Sequence, residues 1–111
     1  MEVGGLGILV TGPVTTTYPI KISDGTIAAD STGGAFTITL PNTGSVETGR
    51  IYTIKVTAGA ALVTLAANTG QTIDGSATYT GLTTAHKYVT VQYFQTAGSF
   101  TAGTWMIVGN N

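Results

Sequence analysis

The chain has 111 residues, enough for one hydrophobic core, and only 8% of them are charged, giving a formal net charge of -1. Ordinary soluble domains carry roughly 25% charged residues, so there is little self-repulsion to keep copies of this chain apart, and the four cations Lys21, Arg50, Lys55 and Lys87 form no basic run for nucleic acid. Without cysteine, disulfides, zinc thiolate sites and thiol nucleophiles are excluded.

Residues 1 to 20 differ from the rest. Gly4, Gly5, Gly7, Gly12, Pro13 and Pro19 punctuate a short apolar patch, Leu6 to Val10. Glycine and proline at this density disfavour a helix and weaken a central strand. The segment is expected to be an extended N-terminal arm lying on a neighbouring subunit, with Leu6, Ile8, Leu9, Val10, Pro13 and Val14 as its contact residues. The alternative is a first strand of the chain's own sheet. The patch is far shorter than the roughly 20 residues of a membrane span. Glu2 stands where a secretion signal would place basic residues, so synthesis in the cytoplasm is expected.

From residue 21 to 111 a single β-domain is expected. Asp24-Gly25 reads as a tight turn, Thr26 to Asp30 as a short strand and Ser31 to Gly34 as a turn. Ala35 to Leu40 forms a strand with Phe36, Ile38 and Leu40 on one face, stopped by Pro41. The stretch to Gly49 is a loop with room for one helical turn. Arg50 to Thr57 follows, with Tyr52, Ile54 and Val56 inward; Ala58-Gly59-Ala60 is expected as a hairpin into Ala61 to Ala66, with Val63 and Leu65 inward. Gln71 to Asp74 is a short strand ending at Asp74-Gly75, and Ser76 to Thr80 reads as an edge. Lys87 to Gln95 buries Val89, Val91 and Tyr93. After a connection at Ala97 to Gly103, Thr104 to Val108 turns Trp105 and Ile107 inward.

Almost every strand alternates threonine with an apolar residue, and a period of two places one type on each face. Short strands divided by turn residues predict an all-β, antiparallel sandwich or barrel, jelly-roll-like in arrangement. The hydroxyl face meets water or a partner that is also polar and neutral, which marks the chain as a unit of assembly.

No catalytic residues are assigned. His86, the single histidine, reads as a solvated loop side chain. Asp24, Asp30 and Asp74 sit in turn contexts, which leaves no carboxylate pair for glycoside chemistry. No ligand spacing for zinc or calcium occurs, so no metal and no cofactor is expected. Tyr79, Tyr88 and Phe94 fall outside the inward parity and are candidates for a subunit contact, the alternative being stacking on sugars.

Several segments together resemble a recurring β-module of tailed-phage virion structural proteins. They are Phe36-Thr37-Ile38-Thr39-Leu40-Pro41, Gly49-Arg50-Ile51-Tyr52-Thr53-Ile54-Lys55, Gln71-Thr72-Ile73-Asp74-Gly75, Val89-Thr90-Val91 and Gly103-Thr104-Trp105-Met106-Ile107-Val108-Gly109. Their order is similar to that family's strand-Leu-Pro, Gly-x-x-Tyr-x-Ile-Lys, Thr-Ile-Asp-Gly and Gly-x-Trp-x-x-x-Gly blocks, over residues 25 to 109. The resemblance implies a virion protein, often trimeric, with no enzymatic residues to carry over. A short chain with an arm fits a capsid decoration, or cement, protein: a homotrimer bound to the major capsid protein on the capsid surface. The alternative is a tail fibre or spike tip contacting a host glycan or protein.

Overall fold

Period-two alternation decides which side chains turn inward, and the chain obeys it in nearly every strand. A computed structural model describes residues 9–94 and 104–111. The strands are β1 (Val10–Val14), β2 (Tyr18–Pro19), β3 (Thr26–Asp30), β4 (Phe36–Thr39), β5 (Ile51–Ala58), β6 (Val63–Ala66), β7 (Thr72–Ile73), β8 (Thr78–Leu82), β9 (Tyr88–Phe94) and β10 (Thr104–Asn110), with one 3₁₀ turn at Thr43–Ser45. They form two sheets, one ordered β1-β3-β5-β9-β10-β7 and the other β2-β4-β6-β8.

The expected all-β, two-sheet architecture is present, but the expected antiparallel pairing is corrected here, since most of the strand pairs described are parallel. The first eight strands alternate between the sheets, odd-numbered strands in the larger and even-numbered in the smaller. Successive strands within a sheet therefore run parallel: β1 with β3, β3 with β5, β2 with β4, and β4 with β6. Parallel neighbours need a long return path, and here the return is a strand of the opposite sheet. The result is a winding of stacked coils. It is closed by antiparallel β8 on β6, β9 on β5 and β10 on β9, with β7 parallel to β10.

The expected hairpin at Ala58-Gly59-Ala60 is a corner of this winding. It carries the chain from β5 into β6 of the other sheet. Gly59 has φ of +102°, and a Cβ there would lie 2.4 Å from Ser31 Oγ and 2.5 Å from the Ser31 carbonyl carbon. Glycine is needed because two corners stack on each other, joined by the Ser31 amide donating to the Ala58 carbonyl at 2.9 Å. The tight Asp74-Gly75 turn matches its expectation. Both residues have positive φ, 48° and 84°, as a type I′ turn requires, and Ile73 bridges Ser76 across it. By contrast, the expected Asp24-Gly25 turn lies earlier, where the Asp24 amide donates to the Lys21 carbonyl.

Side chains stack in register between coils. Ile27, Ile54 and Val89 form one inward row, and Ala29 beside Val56 another. Phe36, Val63 and Leu82 line up in the second sheet. Trp105 lies between Tyr52 and Tyr93, with ring centroids 5.6 and 5.7 Å away. All of these side chains are buried, and burial of each large one contributes about 1.5–3 kcal/mol. The inward residues expected from Phe36 to Trp105 are in this core, and Ile107 packs partly buried against it.

Candidate functional site

The structure divides the segment expected as an arm. Leu6 and Ile8 lie outside the described residues. Residues 10–14 and 18–19 are strands of the molecule's own sheets, so over this stretch the first-strand alternative holds. The cause is hydrogen bonding. The Thr26 amide donates to the Leu9 carbonyl at 2.9 Å, and Val10 and Thr11 continue in register with Thr26 and Ile27. Val14 packs partly buried against the core. Leu9 and Val10 keep 54% and 62% of their surface exposed, and Pro13 is exposed as well.

Asp24 fastens this first coil. Its carboxylate, buried to 3% exposure, accepts hydrogen bonds from Thr11 Oγ1 at 2.7 Å, Tyr18 Oη at 2.7 Å and the Lys21 amide at 2.9 Å. Burial by itself raises the pKa of this carboxyl. The bonds from Tyr18, Lys21 and Thr11, with the Lys21 charge, outweigh that and hold it below the usual carboxylate value. In return, burial and the bond to Asp24 push the Tyr18 phenol up to about 12. Sequence reasoning assigned Asp24 to turn duty and missed this, because two of its partners lie thirteen and six positions away.

The outer face of the six-stranded sheet carries several exposed apolar side chains. Asp30 and Lys55 are the charged residues on its strands. Thr26, Thr53 and Thr90 form a hydroxyl row across β3, β5 and β9, and the last two hydrogen bond at 2.9 Å. Val10 extends this row at the β1 end. Ile51, Gln92 and Met106 form a parallel row. Ile51, Phe94 and Val108 are 46%, 49% and 51% exposed. Of the three aromatics expected outside the core, Phe94 and half-buried Tyr88 share the outward parity of β9, while half-buried Tyr79 packs against the core. Ile51 was missed; its signal is an apolar residue on the polar parity of its strand.

Next to this sheet, the loop before β5 forms the wall of a cavity of about 400 Å³ with Ile22 and Arg50. The loop is fixed from below. The Thr43 amide donates to Gln71 Oε1 at 3.1 Å, Gln71 Nε2 to Asn42 Oδ1 at 3.2 Å, and the Gly44 amide to Asn42 Oδ1 at 2.8 Å.

Among the described residues, no three His, Cys, Asp or Glu side chains gather as a metal site. His86 is an exposed loop residue with φ of 75°. Asp30 caps its own turn by accepting from the Thr32 amide at 2.9 Å, and hydrogen bonds from Thr32 hold its carboxyl below the usual value. Asp74 accepts from the Ile107 amide at 3.2 Å. The three aspartates therefore have structural partners and stand apart from one another in role.

The chain matches no family model and no curated protein.

Proposed function

We propose that this chain is a structural protein of a tailed-phage virion, a capsid decoration protein that binds the outer shell as a homotrimer. The observation that carries the reading is the outer face of the six-stranded sheet, where exposed Ile51, Phe94 and Val108 sit among threonines with Asp30 and Lys55 as the strands' charged residues. A face this neutral loses little solvation when covered, and its apolar side chains gain from it. The order of motifs along residues 25 to 109 supports the virion assignment. In this reading Val10 adds to the covered face, and Leu6, Ile8, Leu9 and Pro13 reach the major capsid protein. Many weak contacts then stabilise the shell by mass action.

Densitometry of purified particles is expected to give hundreds of copies per virion; a handful would move the protein to the tail, as a fibre or spike tip. Isolated wild-type protein is expected to sediment as a trimer. The double variant Ile51→Lys, Phe94→Lys should sediment as a folded monomer, because both positions are solvent-facing in the single chain. A wild-type monomer at micromolar concentration, or a variant that stays trimeric, would count against this interface.

A further inference from the structure

The cavity beside β5 holds a cation with no counter-ion within ion-pair distance among the described residues. Arg50 is half-buried at its wall, with Glu47, Ser45, Ile22 and Val46 around the same space. The guanidinium donates to the Asp24 carbonyl and lies 4.5 Å from the centre of the Tyr52 ring. Among the described residues no carboxylate is within ion-pair distance of it. Its supports are themselves fixed. Asp24 is the buried hub of the first coil, and Tyr52, fully buried, donates from Oη to the Ile22 carbonyl at 3.1 Å. The cation is thus preorganised by one carbonyl and one ring face, with the Glu47 carboxylate lining the same cavity without pairing to it.

A planar guanidinium fork suits a carboxylate. A dianionic phosphate fits poorly, because it would meet one guanidinium and the Glu47 carboxylate in the same space. Ser45 and Glu47 offer hydrogen-bonding partners for hydroxyls, and Ile22 and Val46 offer apolar wall for the C–H face of a ring. The volume is that of a small-molecule pocket. We infer that this cavity binds a sugar acid, with its carboxylate on Arg50 and its hydroxyls on Ser45 and Glu47. The site goes beyond the assembly role and does not depend on it, since the lining residues lie in the loop before β5 and the turn before β3.

Backbone amide shifts of the full chain, titrated with glucuronic acid at neutral pH, test the assignment. Saturable shifts confined to residues 22 and 45–50 are expected at millimolar ligand, with glucose giving none at the same concentration. Binding should weaken several-fold as salt is raised. Arg50→Lys should lose binding at least tenfold. Ser45→Trp, at an exposed position, should block the cavity and leave Arg50 in place. Glu47→Gln keeps the hydroxyl partner, removes the like charge and should tighten binding a few-fold. A uronate-ended oligosaccharide run in parallel distinguishes the source: tighter binding than the monosaccharide points to glycan ends, equal binding to a free sugar acid, and either supports the site. No saturable shift with either probe, equal response to glucose, or unchanged binding in Ser45→Trp would overturn the inference.

Discussion

Replacing Asp24 tests how the first coil is held. In Asp24→Ala three donors lose a charged acceptor, Thr11 and Tyr18 at 2.7 Å and the Lys21 amide at 2.9 Å. A hydrogen bond to a charged group contributes about 1.5–3 kcal/mol. The full sum is not expected, because the half-buried hydroxyls regain water and the three bonds share one acceptor. A loss of about 3–4 kcal/mol by urea denaturation at neutral pH is the expected outcome, a large share of the ~5–15 kcal/mol that holds a domain of this size. Asp24→Asn keeps the shape and one good acceptor, so about 2 kcal/mol is expected. Tyr18→Phe in the Asp24→Ala background should then cost almost nothing further, since its partner is already gone.

The pH dependence carries a sign. Asp24 titrates below its ordinary value in the folded chain, so the folded state binds this proton less readily than the unfolded one. Its stabilisation is fully present above the unfolded carboxylate range, near pH 4, and is lost as pH falls through the folded pKa. The gap between wild type and Asp24→Asn should therefore narrow under acid. Amide exchange locates the effect: Thr11 and Thr26, which tie β1 to β3, should lose protection before the β9–β10 pair does. A loss below about 1 kcal/mol in Asp24→Ala, or a gap constant from neutral pH into strong acid, would refute the proposed staple.

The alkaline limb follows from Tyr18, whose phenol is raised from 10.0 to about 12. The folded state favours the neutral form, so its contribution is full below about pH 10 and lost as pH rises toward about 12. Solvent at the half-exposed ring reduces the expected loss to about 1–2 kcal/mol; Tyr18→Phe should lack this slope in denaturation curves taken across that range. Gly59→Ala should destabilise by about 3 kcal/mol or more, since the positive φ is joined by a clash with the Ser31 backbone. Gly70→Ala, with φ of +81° but open space around it, should cost only about 1 kcal/mol, and equal losses in the two variants would show that corner stacking contributes nothing.

Faces were legible in the sequence and neighbours were not. Period-two alternation is the same in parallel and antiparallel sheets, so Phe36, Ile38, Tyr52, Ile54, Val89 and Trp105 could be assigned to the core without knowing what lay beside them. Asp74-Gly75 announced a reversal, because two consecutive positive φ values suit that pair. Gly59 announced a turn, but its second requirement, room for the Ser31 backbone, belongs to a residue twenty-eight positions earlier. Corners that send a strand into the opposite sheet carry the same Gly, Ser and Thr as hairpins do, so the winding stayed hidden. At the candidate site the same limit applied. Arg50 was one of four scattered cations, and nothing local showed that its head would lie over Tyr52 beside an open cavity.

The winding also bears on how such a neutral chain can associate in a controlled way. Coils of parallel strands end in open edges, and an open edge invites indefinite strand-to-strand addition. Here most edges are blunted. The β1 register breaks between Thr11 and Val14, where Pro13 has no amide to donate. The β2 edge is two residues long and ends in Pro19, and β7 is also two residues. β8 has five residues, as β1 does, but contains no proline and so offers the more open run. Among the described residues, backbone addition is thus disfavoured at three of the four sheet edges, whereas the outer face of the six-stranded sheet presents side chains without backbone groups to pair. Contact through side chains can be specific and closed, as the proposed trimer would require. A chain that lacks charge for keeping copies apart can therefore still avoid aggregation, provided its contacts are made by Ile51, Phe94 and Val108 and not by strand edges.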